Sequence, residues 1–340
     1  MNRFDYVRPD TISDAIKALA VPDARALAGG TNLVDLMKYE VARPSRIVDI
    51  NRLPLKAIET TAEGGLKIGA LVTNSDLAWN ATVHEHFPLL ASAILAGASP
   101  QLRNAATTGG NLLQRTRCYY FYDPSTACNK RVPGSGCSAI GGVNRIHAIL
   151  GASDECIAVH PSDMCVALAA LDASVDVEGP DGKRNIPFTA FHRLPGTEPH
   201  LDNTMAAGEL ITGIHLSRCD FGINHTYVKI RDRLSYAFAL VSVAVGLKLK
   251  AGVIEKVHVA LGGVAHKPWR DLDAEAALKG QRPERAAFAE FAGQVVAQAR
   301  GQGQNDFKIE LARRTIIRAL EQAAAGTPQH QSNKSLQQEK

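Results

Sequence analysis

The chain has 340 residues, 45% of them hydrophobic and 21% charged, with 28 glycines, 16 prolines and a formal net charge of +4. Such a chain belongs to a folded globular protein with room for two or three domains, each with a core. Lysines and arginines are scattered, which argues against a nucleic-acid surface, and no apolar run approaches the roughly 18 residues that cross a bilayer.

The opening stretch MNRFDYVRPDTISDAIKALA lacks the apolar core of a signal peptide. Six cysteines without such a signal suggest reduced thiols rather than a disulfide framework. Within it, SDAIKALA reads as a short capped helix. ARALAGGTNLVDLMKYE gives a short strand, a turn at Gly29 and Gly30, and an amphipathic helix from about Leu33; SRIVDIN gives a second strand. Together these make a small α/β unit over 1–54.

From 55 to 220 the texture changes. GGLKIGALVTNSDLAWN combines a hairpin-like strand with a capped helix near Thr73. PLLASAILAGASPQLRNAATTGGNLLQ gives a buried Ala/Leu helix and a glycine-rich turn over 107–111. Beyond a cysteine-bearing loop, HPSDMCVALAALDASVDVEG supplies an apolar helix and a strand, and GELITGIHL a closing strand. Over 221–326, long β-prone runs with a turn at KAG precede two helices, an α+β arrangement. The polar residues 327–340 read as a disordered tail.

Two segments repeat one recipe. AGGTN (28–32) and TTGGN (107–111) each join paired glycines to hydroxyl and amide side chains. Glycines let backbone amides approach a phosphate, and a helix start adds partial positive charge. Each turn alone is a weak signal, because a Gly-Gly turn before a helix is more often just a tight connection. Neither G-x-G-x-x-G nor G-x-x-x-x-G-K-[ST] occurs, which disfavours a Rossmann dinucleotide fold and a P-loop. Two matching turns suggest a dinucleotide pyrophosphate held from two sides.

ALAGGTNLVDLMK, RNAATTGGNLLQ, HPSDM, YVKIRDRLSYAFALVSVAVGL and VHVALGGVAHKPWR occur in that order. Together they resemble the FAD-binding medium subunit of the xanthine dehydrogenase family of molybdenum hydroxylases, from about Phe4 to Ala325. The resemblance implies an α+β chain: a vanillyl-alcohol-oxidase-type (PCMH-like) FAD-binding domain in two subdomains, then a carbon monoxide dehydrogenase flavoprotein C-terminal-like domain. It implies that Ala28, Gly29, Gly30, Thr31, Asn32 and Leu33 wrap the FAD pyrophosphate, with Thr107, Gly110 and Asn111 opposite. Asp163 would meet the flavin or its ribityl chain, and Lys229 would lie near the isoalloxazine. From the residues alone, Asp163 equally caps the following helix, and Lys229 is a solvated strand residue.

The stretch RTRCYYFYDPSTACNKRVPGSGC fits no helix or strand pattern. Cys118, Cys128, Cys137 and Cys156 are spaced C-x9-C-x8-C-x18-C, without the close C-x2-4-C pair of zinc sites or the C-x2-C runs of ferredoxins. Spacing alone leaves metal binding open. Glycines and prolines permit an irregular backbone, and Arg115, Arg117, Lys130 and Arg131 would offset thiolate charge. The pattern is similar to an insertion, here about 115–157, found in a subgroup resembling bacterial periplasmic aldehyde oxidoreductases. That resemblance implies a [4Fe–4S] cluster on these four cysteines, wrapped by the aromatics Tyr119 to Tyr122. Cys165 and Cys219 are then inert core thiols, and His147 and His160 structural residues.

The resemblance implies an electron-transfer subunit with no catalytic residues of its own. It would join a [2Fe–2S] small subunit and a molybdopterin large subunit in a heterotrimer that oxidises aldehydes, and pass electrons through FAD to an external acceptor such as ferredoxin or a quinone. The flavin subunit of a xanthine dehydrogenase-type enzyme, an N-heterocycle hydroxylase or a hydroxybenzoyl-CoA reductase is the alternative; a stand-alone flavin oxidase and a zinc-binding module are the readings from other classes. No nucleic acid and no membrane insertion are expected. The chain's own sequence points to the cytoplasm, with the periplasm reached by co-export with a signal-bearing partner.

Overall fold

The computed structural model describes residues 1–330. The first unit holds β1 (Asp5–Val7), α1 (Ile12–Leu19), β2 (Ala24–Leu27), α2 (Leu33–Lys38) and β3 (Arg46–Asp49). Its sheet is parallel, in the order β1-β3-β2. The helix expected from SDAIKALA starts one residue earlier, because the Thr11 hydroxyl caps it by accepting from the Asp14 amide at 3.1 Å. β1, too short to alternate visibly, was not anticipated.

The middle unit runs through β4 (Ile58–Thr60), β5 (Leu66–Gly69), α3 (Asn74–Trp79), α4 (Ala81–His86), α5 (Pro88–Ala96), α6 (Pro100–Ala105), α7 (Thr108–Leu112), α8 (Tyr119–Tyr122), α9 (Asp163–Ala170), β6 (Ser174–Gly179), β7 (Gly182–Pro187), α10 (Phe188–Phe191) and β8 (Leu210–Leu216). Its antiparallel sheet has the order β4-β5-β8-β6-β7. The expected turn at 107–111 is a short helix instead, with Thr107 as its cap. Between α8 and α9 the described chain has no regular element. Isolated bridges, Cys128 to Cys137 and Ser153 to Cys156, hold it.

The last unit contains β9 (His225–Ile230), β10 (Val241–Lys250), β11 (Val253–Gly262), α11 (Leu272–Leu278), α12 (Arg285–Val295) and α13 (Phe307–Ala324), with sheet order β11-β10-β9. Ala251 and Gly252, both at positive φ, make the two-residue β10–β11 turn read from KAG. Thr327 and Gln329, at the start of the expected tail, bond to Gln322 and Thr226; the rest of that tail, 331–340, lies outside the described residues.

Every residue of α9 is buried, so the helix has no solvent face and needs apolar partners all round. It packs on α5 and against the β10–β11 hairpin, tying the middle unit to the last. Fully buried side chains such as Leu168 contribute about 1.5–3 kcal/mol each. Among the described residues no helix is long and apolar enough to cross a membrane.

Candidate functional site

The segment after β2 turns at Gly29 and Gly30. No amide from Gly29 to Leu33 donates to another group among the described residues. Five consecutive N–H groups without acceptors form a cradle for an anion. Gly30 holds φ +71°, a left-handed conformation that glycine adopts without strain. A Cβ on Gly29 would stand 1.8 Å from the Ala105 carbonyl oxygen, so this turn lies directly against the chain that leads into α7.

The second glycine pair behaves differently. Thr108 and Gly109 donate to the carbonyls of Val72 and Ala70, Gly110 to the Thr107 hydroxyl, and Asn111 to the Thr107 carbonyl. Its amides are therefore spent inside the fold, against the expectation of a matching cradle. Gly110 and the Asn111 side chain remain to face the cavity. The Asn111 carboxamide oxygen is oriented by Gln114 at 3.0 Å and by the Ser162 hydroxyl.

These segments border a cavity of about 820 Å³, whose wall includes Thr31, Asn32, Gly110, Asn111, Asp163 and Lys229. Of the residues singled out in the sequence, Ala28, Gly29, Gly30, Leu33 and Thr107 support the wall without lining it. The volume lies in the upper range for cofactor pockets. The lining side chains of Asn32, Asn74 and Arg103 each carry a buried polar atom with no hydrogen-bond partner among the described residues. Polar atoms so placed await a ligand or water. Acceptor-free amide N–H groups, orphaned polar atoms and cavity size all fit a flavin dinucleotide.

At the far wall, Lys229 of β9 pairs with Asp163 at 2.8 Å, and the two side chains are only 2% and 9% exposed. Asp163 also accepts from the Tyr227 hydroxyl at 2.6 Å. The Lys229 ammonium and the Arg231 guanidinium both donate to the Ala96 carbonyl at the end of α5. Two readings are corrected here. Ser162, not Asp163, caps α9 by accepting from the Cys165 amide at 3.0 Å. The Lys229 side chain is buried, because the neighbouring carboxylate and carbonyl replace its water. Burial, together with the Asp163 charge, pushes the Tyr227 phenol well above its ordinary value. Tyr227 was missed, although residues two apart on a strand share a face.

Cys118 and Tyr119 close another side of the same cavity. Cys118, Cys128, Cys137 and Cys156 gather in one cluster with Leu36, Phe121, Ala139 and Ile157. Burial pushes the Cys118 thiol up to about 11, helped by the nearby sulfurs of Cys128 and Cys137. A hydrogen bond with Cys156 pulls Cys137 down to about 6, and the same contact pushes Cys156 up. Backbone amides reach the sulfurs: Tyr120 and Phe121 at Cys118, Ala139, Ile140 and Ile157 at Cys137, Ala158 at Cys156. The four cysteines thus share one apolar cluster with backbone amide donors at three of their sulfurs, a donor set of the kind that could hold a metal–sulfur group.

The loop cations are placed otherwise than expected. Arg115 and Lys130 both bind Asp202 at 2.6 Å. Arg117 faces Asp35 at 3.7 Å, and Arg131 donates to the carbonyls of Tyr120, Phe121 and Thr126. They staple the loop, and among them Lys130 also lowers the Cys156 thiol. Burial alone would raise the Asp202 carboxyl, but Arg115 and Lys130 hold it well below the usual carboxylate range. Nothing in the local sequence marks Asp202, which lies 72 residues beyond Lys130.

His160, Cys165 and His192 also bring three ligand-type atoms within 4.8 Å. Both imidazole Nε2 atoms face the Leu112 carbonyl, at 3.4 and 2.9 Å, and Phe188 and Phe191 pack on His192. The trio closes the core around the end of α7.

Residues 2–218 match the family model of the FAD binding domain in molybdopterin dehydrogenase, and 225–323 that of the CO dehydrogenase flavoprotein C-terminal domain. The expected order of domains is thus borne out. The chain is 49% identical over 327 residues to the aldehyde oxidoreductase FAD-binding subunit of Escherichia coli K12, covering 96% of this chain and 99% of that one. It is 30% identical over 296 residues to the glyceraldehyde dehydrogenase medium chain of Sulfolobus acidocaldarius, covering 87% and 88%. The solved carbon monoxide dehydrogenase of Hydrogenophaga pseudoflava includes a chain that matches with a TM-score of 0.75 at 27% identity, covering 96% and 98%. The chain belongs to the family of FAD-binding subunits of the molybdopterin dehydrogenases, multi-subunit oxidoreductases.

Proposed function

We propose that this chain is the FAD- and [4Fe–4S]-containing electron-transfer subunit of a molybdenum-dependent aldehyde oxidoreductase, working beside a [2Fe–2S] subunit and a molybdopterin subunit. One observation carries the reading: a single cavity is lined on one side by Thr31 and Asn32, within the stretch of acceptor-free amides 29–33, and on another by Cys118 of the four-cysteine set. The 49% identity to an aldehyde oxidoreductase subunit supports the substrate class.

In this reading the amides from Gly29 to Leu33 neutralise the pyrophosphate, and Asn32 and Asn111 orient the dinucleotide. Asp163, fixed between Lys229 and Tyr227, meets the flavin or its ribityl chain, with the Lys229 ammonium beside the ring. When bound, FAD supplies the exchange between one-electron clusters and an acceptor of one or two electrons. Cys118, Cys128, Cys137 and Cys156 ligate the cluster, while Phe121 and Tyr122 exclude water around it. The expected boundaries, 1–54, 55–220 and 221–326, then divide one flavin site among three units.

Iron, labile sulfide and flavin per chain test this reading across serine variants of all six cysteines. Each of Cys118→Ser, Cys128→Ser, Cys137→Ser and Cys156→Ser should deplete iron while flavin partly remains. Cys165→Ser and Cys219→Ser should leave iron unchanged. Full iron in the first four variants would defeat the ligand set, and a colourless wild-type protein would defeat the whole reading.

A further inference from the structure

His147 stands between the four-cysteine centre and the flavin cavity. It is 1% exposed and lines the cavity, and its Nε2 lies 3.1 Å from the Cys118 sulfur. Its Nδ1 is buried without a partner among the described residues. Cys118 is itself in the cavity wall, so this contact falls on the side of the centre that faces the flavin site. The backbone beneath the ring is held from the last unit. The Lys308 ammonium donates to the His147 carbonyl at 2.7 Å and the Gly263 carbonyl at 2.6 Å. Asn305 donates to the carbonyls of His147 and Ala148 at 3.2 and 3.0 Å. Lys308 and Asn305 are both fully buried.

We propose that His147 is a positioning residue for electron transfer: its Nε2–H donates to the Cys118 sulfur and raises the reduction potential of the centre on its flavin-facing side. The inference rests on the reading that these four cysteines hold a [4Fe–4S] cluster. A sulfur bound to iron carries no proton, so the contact needs its hydrogen on Nε2, and the partnerless Nδ1 is then the unprotonated nitrogen of the neutral ring. Reduction of the centre adds one electron and no proton, and the added negative charge falls partly on the ligand sulfurs. A donor aimed at one sulfur stabilises that reduced state more than the oxidised one. Lys308 and Asn305 fix the backbone from which the imidazole extends, and burial of the ring keeps it against Cys118. A histidine that only filled space would influence folding but not the potential.

The full chain, purified anaerobically, supplies the test. Iron and labile sulfide are measured first, then the midpoint potential of the cluster by titration followed with electron paramagnetic resonance. His147→Leu removes the donor, and His147→Gln offers a side-chain N–H of similar reach. The expected result is full iron in both variants, a lower potential in His147→Leu and a value restored toward wild type in His147→Gln. An unmoved potential in an iron-replete His147→Leu protein overturns the proposal. If the leucine variant loses its iron, the wild-type protein with 15N-labelled histidine decides by electron–nuclear double resonance. An exchangeable proton coupling together with a histidine nitrogen coupling supports the bond, and their absence overturns it. Wild-type protein without iron would sink the cluster reading itself, which is a different failure from iron present with an unmoved potential.

Discussion

Gly29 and Gly30 are neighbours held to glycine by different forces. At Gly29 a Cβ would meet the backbone oxygen of Ala105 at 1.8 Å and its carbon at 2.6 Å, and backbone atoms cannot rotate away as a side chain can. At Gly30 the obstacle is the torsion itself, φ +71°, with Val34 at 3.1 Å as a softer neighbour. Gly29→Ala should therefore push the cradle off the α7 approach, costing about 1–3 kcal/mol as an overpacked contact does, and should lose most of its flavin. Gly30→Ala pays only the left-handed penalty of about 1–2 kcal/mol and should retain flavin at reduced affinity. Flavin absorbance per chain and melting temperature of the two variants check this; normal flavin in Gly29→Ala would refute the close-approach argument. The sequence showed both glycine pairs plainly but not their difference. The amides of 108–109 end on Val72 and Ala70, more than 35 residues away, and no local pattern reports such a partner.

The cysteine loop shows how an element can form without periodicity. The chain between α8 and α9 has turns and isolated bridges but no ladder, so side chains must supply much of its order. Arg115 and Lys130 converge on Asp202, Arg131 bonds three carbonyls, and Asn129 reaches Glu155. Irregularity and positive charge were legible from Arg115, Lys130 and Arg131 themselves; the single carboxylate that satisfies two of them, a quarter exposed, was not. Asp202→Asn would leave the Lys130 ammonium, only 3% exposed, without its counter-charge and with the Pro199 carbonyl at 2.7 Å as its remaining partner. The cost should be about 3 kcal/mol, the low end for breaking a buried pair. The pH sign follows from the lowered carboxyl: its stabilisation is fully present above the ordinary carboxylate value of about 3.9 and is lost as pH falls below that value toward the folded one. Hydrogen exchange in peptides spanning 113–137 should therefore be faster in Asp202→Asn at pH 7. The wild-type loop should loosen only in acid below about pH 4. Equal protection of the two proteins at pH 7 would show that the loop does not depend on this carboxylate.

At the scale of the whole molecule, the cavity draws its wall from three units whose cores interlock: Tyr227, Ala244 and Ala260 of the last unit pack into the middle unit's core. Thr31 and Asn32 come from the parallel sheet's unit, Gly110, Asn111 and Asp163 from the middle unit, and Lys229 and Leu240 from the β9–β10 unit. These units already meet through α5 and α9 against the β9–β11 sheet, through Lys308 and Asn305 on the 147–148 backbone, and where Gly29 packs on Ala105. A dinucleotide bound among all three adds contacts that none can make alone, and whatever binds only the folded state stabilises it by mass action. Free FAD at a hundred times its dissociation constant should stabilise the chain by about 2.7 kcal/mol. For a chain of this size that is a rise in melting temperature of about 5 °C, at roughly 2 °C per kcal/mol. Because each unit contributes wall, the rise should appear in one cooperative transition. Differential scanning calorimetry of flavin-stripped protein with and without added FAD measures it. Two transitions of which only one moves with FAD would show that the cofactor belongs to a single unit, and that the shared wall is only proximity.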